Sequence, residues 1–305
     1  VSCGDGTLNA TAGEICEPVS DEPWDRCALC EFYGAGLDGT VAATFWEYLV
    51  DPEAEILSFQ SFHYSGMPYL YDFYFANRRY DIAADSWTDV KGDDAIYLEP
   101  VRNAAVDSTG LWAVGDGWMN RFDFATETWT SLPGTIPSGG DDEQSAAVFD
   151  GEGYIWYHAP KGLVRYDPLT DTATAEIEHE YIASFWTRLA YDPIGHKIAF
   201  GGYISPWLLV YDIAKGTFTQ SANSPGGPIE TNSCGDNSGG MYTGSWDDEN
   251  EMYRYDIATD TWTEIPDLPV PHDNLSTCVV SQDGYLYAGT AEGPSFFRLP
   301  LGKLK

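Results

Sequence analysis

From about residue 37 onward the chain alternates short apolar runs with polar, turn-forming punctuation. That pattern predicts short β-strands joined by tight turns, and helical patterning is almost absent. One phrase recurs in it: "RRYDIAADSWTDV" (Arg78–Val90), "NRFDFATETWTSLP" (Asn120–Pro133), "VRYDPLTDTATAEI" (Val164–Ile177), "LVYDIAKGTFTQSA" (Leu209–Ala222) and "YRYDIATDTWTEIPDLP" (Tyr253–Pro269). The aspartates that anchor it, Asp81, Asp123, Asp167, Asp212 and Asp256, are spaced by 42, 44, 45 and 44 residues. A fixed period in this range is the signature of stacked supersecondary units.

Each copy reads as a strand ending in aromatic-Asp, a polar turn, and a second strand opened by Thr-Trp-Thr or a variant of it. The Asp side chain can close the turn on its own backbone, and the Trp can cover the neighbouring sheet. Two further short strands precede each hairpin, such as "NAAVD" and "LWAVGDG" in the second unit and "IETNSCG" and "GMYTGSW" in the fifth. Four antiparallel strands per unit predict one blade of a β-propeller. Small residues on the first strand (Ala104, Ala105, Ala146, Ala147, Ser233 and Cys234) suit a crowded axis.

The sixth unit, ending in "FFRLPLG" (Phe296–Gly302), has only three strands before the chain stops. "TFWEYLVDP" (Thr44–Pro52) mimics the missing outer strand, which predicts closure of the ring by the N-terminal strand and removal of exposed sheet edges. The expected fold is all-β: a six-bladed propeller of four-stranded blades over residues 37–305, preceded by a small disulfide-rich module at 1–36.

The repeated phrase resembles the kelch motif over about residues 37–305. The resemblance departs from the family at the diglycine that closes the second strand. It is intact at Gly201-Gly202 but reduced to Gly115-Asp116, Gly244-Ser245 and Gly289-Thr290 elsewhere. The N-terminal "CGDGTLNATAGEICE" is similar to short Cys-rich repeats of secreted myxobacterial-type proteins, which implies a secreted or surface origin.

Composition narrows the function. The chain has 305 residues, 48 acids and 15 Lys or Arg, a formal net charge of -33. Such a surface repels phosphate backbones and anionic membranes, so nucleic acid is excluded as a partner and a cationic one is favoured. No apolar run is long enough to span a bilayer. No charged-then-apolar leader is present at Val1, so any signal peptide is expected to have been removed. Four of the six cysteines (Cys3, Cys16, Cys27, Cys30) crowd the first 30 residues, a density typical of disulfide-held extracellular modules. Zinc and redox readings of Cys27 and Cys30 lack a second CxxC and a βαβ context. The expected bonds are Cys3–Cys16, Cys27–Cys30 and Cys234–Cys278. Pairings Cys16–Cys27 and Cys3–Cys30 stay open for the first four, and the last bond would join innermost strands of adjacent blades.

Asp5, Glu14 and Glu17 would come together if Cys3 bonds Cys16, a set of hard oxygens that suits Ca²⁺. Catalytic motifs are absent: no HExxH, nucleophile elbow or phosphate loop occurs. His158, expected in a second-to-third strand loop, and His179 and His272, expected in inter-blade links, could share one face as a metal site. The Tyr–Cys copper chemistry of galactose oxidase-type propellers has no counterpart in the cysteine placement here. The same face would collect Glu99, Asp141, Asp142, Glu178, Glu230, His272 and Asp273, with Trp118 and Trp207 on nearby loops. Carboxylates beside aromatics suit sugar rings or cationic side chains. The favoured reading is a secreted or surface-displayed protein that binds a protein, glycan or cation on this face. The rivals are a metal-dependent enzyme working at the channel mouth and a structural subunit of an extracellular assembly.

Overall fold

The computed structural model describes residues 46–49, 59–64, 67–72, 78–90, 104–115, 118–132, 146–159, 162–174, 177–179, 188–201, 205–229, 233–236, 238–244, 251–269, 275–281, 284–290 and 296–301. Five sheets are each drawn from one continuous stretch of chain. Sheet 1 holds β2 (Phe59–Tyr64), β3 (Met67–Asp72), β4 (Arg78–Asp81) and β5 (Ser86–Asp89). Sheet 2 holds β6 (Ala105–Val106), β7 (Gly110–Gly115), β8 (Trp118–Asp123) and β9 (Thr128–Leu132). Sheet 3 holds β10 (Ala147–Phe149), β11 (Ile155–Ala159) and β12 (Gly162–Asp167), whose outer partner is split into β13 (Thr172–Ala173) and β14 (Ile177–Glu178). Sheet 4 holds β15 (Arg188–Asp192), β16 (Lys197–Gly201), β17 (Leu209–Asp212) and β18 (Thr217–Gln220). Sheet 5 holds β19 (Cys234–Gly235), β20 (Gly240–Gly244), β21 (Met252–Asp256) and β22 (Thr261–Ile265).

A sixth sheet is composite. β23 (Leu275–Val280), β24 (Tyr285–Thr290) and β25 (Phe296–Pro300) accept β1 (Glu47–Tyr48) as their outer strand. Glu47 lies opposite Arg298 and Tyr48 opposite Phe297. Every strand pairing among the described residues is antiparallel, and the first strands of the six described sheets neighbour one another in a closed cycle. The molecule is a β-propeller.

The hairpin turns show why the repeat carries its aspartates. The Asp81 Oδ1 accepts the amides of Ala83 and Ala84, and the Asp123 Oδ1 those of Ala125 and Thr126. Asp167, Asp212 and Asp256 do the same for Leu169, Lys215 and Thr259. Four residues after the anchor the backbone turns left-handed, at Asp85, Glu127, Asp171 and Asp260, with φ between 48° and 53°, and at Gly216. Asp tolerates that conformation because its short side chain bonds locally. Here it accepts the hydroxyl of the tyrosine five residues earlier, in Tyr80–Asp85, Tyr166–Asp171 and Tyr255–Asp260.

The core is a set of inter-sheet layers. Trp156 and Leu163 of sheet 3 meet Tyr191, Phe200 and Tyr211 of sheet 4, while Trp112 and Met119 of sheet 2 meet Tyr157 and Val164 on the other side of sheet 3. Ala104, Ala105, Ala146, Ala147, Ser233 and Cys234 are all buried, as expected for positions at the axis. A Cβ at Gly115 would overlap the Trp118 ring, and one at Gly201 the Leu208 side chain. Glycine at these two second-strand ends leaves room for those side chains. Cys234 and Cys278 form the expected disulfide between the first strands of sheets 5 and 6, with Cα atoms 5.5 Å apart. The other four cysteines lie outside the described residues.

Candidate functional site

Antiparallel connection puts the first-to-second and third-to-fourth turns of every sheet on one side of the ring, here the hairpin face. The second-to-third connections emerge on the opposite side, the link face. Trp118 opens the third strand β8, Trp207 lies two residues before β17, and Glu178 pairs with Gly162, the first residue of β12. All three therefore stand at the link-face end. Glu99, Asp141, Asp142, Glu230, His272 and Asp273 lie outside the described residues, as do Asp5, Glu14 and Glu17.

Glu178 and Trp207 belong to one inter-sheet boundary. Ile177, beside Glu178, and Trp207 both pack against the core between sheets 3 and 4. Trp118 packs instead against the layer formed by sheet 2 and Val90. β14 can lie close to β12 only because residue 162 is glycine: any Cβ there would overlap the Ile177 carbonyl. Next to Glu178, His179 meets the ring of Phe218 edge-on at 4.8 Å, reaching from sheet 3 to the outer strand of sheet 4. Phe218 in turn packs on Phe200 at 5.9 Å.

His158 completes this strip and corrects an expectation. It is not in a loop: it sits within β11, opposite Leu163, its ring 6.4 Å from Phe200. Its neighbour Trp156 alternates onto the same face, so the residue fits the apolar-in pattern of a strand buried on both sides. The Nε2 atom is enclosed and has no hydrogen-bond partner, and burial pushes the imidazole pKa down to about 4. His158 is therefore neutral at ordinary pH. Among the described residues no group of three His, Cys, Asp or Glu side chains is placed to hold a metal ion.

Two groups went unread in the sequence. Arg188 is fully buried at the link-face end of the innermost strand β15, and its Nε donates to the Ser233 carbonyl at 3.0 Å, crossing from sheet 4 to sheet 5. A positive charge thus stands at a mouth expected to be lined by carboxylates. The second group is a further ladder of aspartates on the hairpin face. Asp107 and Asp150 each close a first-to-second turn with Oδ1 and accept an indole N–H, from Trp112 at 2.7 Å and Trp156 at 2.9 Å, with Oδ2. Asp236 closes the equivalent turn of sheet 5. The recurring "D-x-x-G" before the second strand was the available signal for this ladder.

Arginines two residues before the repeat anchors neutralise part of this acidity. Arg121 lies over Trp112 at 5.3 Å, Arg165 over Tyr154 at 4.4 Å, and Arg298, at the matching place in the sixth sheet, over Tyr285 at 4.7 Å. Backbone amides hold Asp123 and Asp167 below the usual carboxylate range, chiefly those of Thr126 and Leu169, while the Lys215 ammonium does so for Asp212.

No protein-family model matches the chain, and no curated protein does. Among solved structures it is similar to two crystal structures of the extracellular domain of BT4673 from B. thetaiotaomicron, designated a one-component system in one and a hybrid two-component system in the other. Each has a TM-score of 0.52 at 18% identity, covering 78% of this chain and 32% of the other. The chain thus spans about a third of the length of the structures it matches. The likeness is one of fold. Among the described residues no helix is long and apolar enough to cross a membrane.

Proposed function

We propose that the chain is an extracellular binding module that takes a cationic ligand, an amine-bearing sugar or a basic side chain, on its link face. In this reading the five contiguous sheets and the composite sheet are the six blades of a kelch-like ring, and the Cys-rich N-terminus is a separate secreted-type module. The observation that carries the proposal is the boundary between sheets 3 and 4, where Glu178, His179 and Trp207 stand beside the Phe200–Phe218 strip. A carboxylate attracts the amine, and the aromatic edges accept a sugar face or a cation. The inter-sheet disulfide and the extracellular origin of the similar structures support the location. Glu99, Asp141, Asp142, Glu230, His272 and Asp273 would extend the negative field around the same face, with Trp118 as a second aromatic.

A titration of tryptophan fluorescence with a glucosamine tetramer tests this reading. Saturable binding that weakens with salt and is lost with the neutral N-acetylated tetramer is expected, because exposed charges are screened over about 8–10 Å at physiological ionic strength. Equal binding of the two sugars contradicts the cationic reading. In the same proposal Asp5, Glu14 and Glu17 hold Ca²⁺ in the N-terminal module. Calorimetric titration with Ca²⁺ of the intact chain against Asp5→Asn checks it, the variant losing the heat of binding.

A further inference from the structure

The hairpin face carries a feature that the fold does not require. Leu169 is 93% exposed and Ile194 85%, and they are the large hydrophobic side chains that the described surface leaves open. Both occupy the same place in their turns, after Asp-Pro: Asp167-Pro168-Leu169 in sheet 3 and Asp192-Pro193-Ile194 in sheet 4. Each amide is held by its aspartate Oδ1 at 2.9 Å, and proline fixes the preceding φ, so the two side chains are presented on rigid tips. The other third-to-fourth turns carry alanine at that position, Ala83, Ala125, Ala214 and Ala258, so a small residue satisfies the turn.

The Ile194 turn is also a copy of the repeat phrase in the wrong place. "YDPIGHK" joins the first and second strands of sheet 4, yet it shares Tyr-Asp-Pro with "YDPLTDT" of sheet 3, sets Ile where that turn has Leu, and turns left-handed at the same sixth position, Asp171 and His196, with φ of 50° and 49°. The two tips lie on neighbouring sheets that are tied together at this face. His196 Nδ1 reaches Glu152 of sheet 3 at 3.3 Å and the Tyr191 hydroxyl at 3.1 Å.

We infer that Leu169 and Ile194 form a two-point docking surface for a partner protein whose apolar pockets are rimmed by Lys or Arg. Exposed apolar tips on a rigid backbone lose little conformational freedom when buried, so their area contributes to association. The Leu169 turn carries Asp167 and Asp171, the Ile194 turn carries Asp192 and the Glu152–His196 pair, and Arg165 and Lys197 are the cations of the two hairpins. A formal net charge of -33 opposes a second copy of this chain as the occupant and steers a basic one. The surface is separate from the link-face site and does not depend on it.

The test uses the full chain and a 14-residue amphipathic peptide of Leu and Lys, read by fluorescence anisotropy. A peptide with every Leu replaced by Gln is the control. Leu169→Ala with Ile194→Ala changes two exposed side chains and should leave the melting temperature unchanged. The expected result is a loss of Leu/Lys peptide affinity of about ten-fold or more in the double variant, with the Leu-free peptide binding both proteins alike. Equal affinity of the two proteins for the Leu/Lys peptide overturns the inference. So does sedimentation showing that the wild type self-associates through these residues and the variant does not, since the occupant would then be a second copy.

Discussion

Trp46 donates its indole N–H to the carbonyl of Pro266, 220 residues later, at 3.1 Å. The bond has a twin one sheet earlier: Trp262 donates to the Ala222 carbonyl at 2.9 Å. In both cases the tryptophan of an outer strand holds the chain leaving the previous sheet. The N-terminal strand therefore copies a repeat tryptophan in contacts as well as in place. Trp46 also meets Phe297 edge-on at 6.5 Å, and Glu47 pairs with Arg298 at 2.6 Å.

Removing this strand should open the ring. Deletion of residues 37–50 would expose the edge of β25 and leave Trp46's layer unfilled, giving an aggregating or grossly destabilised protein. Trp46→Ala alone should cost about 3–5 kcal/mol, read as a fall in the thermal midpoint. A deletion variant that melts like the wild type would show that the ring closes by other means.

The Cys234–Cys278 bond joins sheets 5 and 6 across the same layer that Trp46 fills. Its sequence separation is 44 residues, for which the chain-entropy relation gives a contribution of about 4 kcal/mol. Cys234→Ala with Cys278→Ala should lower the unfolding midpoint in urea, and peptide mapping of the wild type without reductant should recover the two cysteines linked. Free thiols at both positions would contradict the structure.

His158 makes stability depend on pH in a definite direction. Its folded pKa, about 4, lies below its ordinary value, so the unfolded chain binds the proton more readily between the two. Stability is full above about pH 6.5 and falls as the pH drops toward 4, by up to about 3 kcal/mol. His158→Phe should flatten the melting temperature between pH 7 and pH 5. Below that window the turn aspartates Asp123, Asp167 and Asp212, whose folded pKa values are depressed, lose the bonds that they hold at neutral pH, and unfolding steepens in both proteins.

Gly162→Ala separates the site from the scaffold. The added Cβ would overlap the Ile177 carbonyl, so β14 must move away from β12. The expected cost is about 1–3 kcal/mol, together with weakened binding of the glucosamine tetramer, because β14 carries Glu178 and leads into His179. Unchanged binding in the folded variant would show that this edge does not touch the ligand.

Much of the scaffold was legible because propeller turns are local. The spacing of Asp81 through Asp256 gave the period, and the same residues close the turns through bonds spanning two or three positions. Cys234 and Cys278 could be paired because both fall on first strands one period apart. The site was harder to read. His158 looked like a loop residue because it is polar, whereas its place between Tyr157 and Ala159 keeps the strand alternation. Arg188 is invisible in a charge count dominated by 48 acids, since only the packing of sheets 4 and 5 buries it. The Ile194 turn was hidden by phase: the repeat phrase was sought on third strands, and this copy follows a first strand.

The face assignment can be measured directly. Glucosamine tetramer binding is compared by isothermal calorimetry in three proteins: the wild type, Glu178→Gln with Trp207→Ala on the link face, and Ala84→Lys with Ala214→Lys at exposed turn positions of the hairpin face. Loss of about ten-fold or more in affinity in the link-face variant, with the hairpin-face variant close to wild type apart from a uniform effect of its altered net charge, is the expected result. Intact binding in the link-face variant with abolished binding in the hairpin-face variant would place the ligand on the opposite side of the ring.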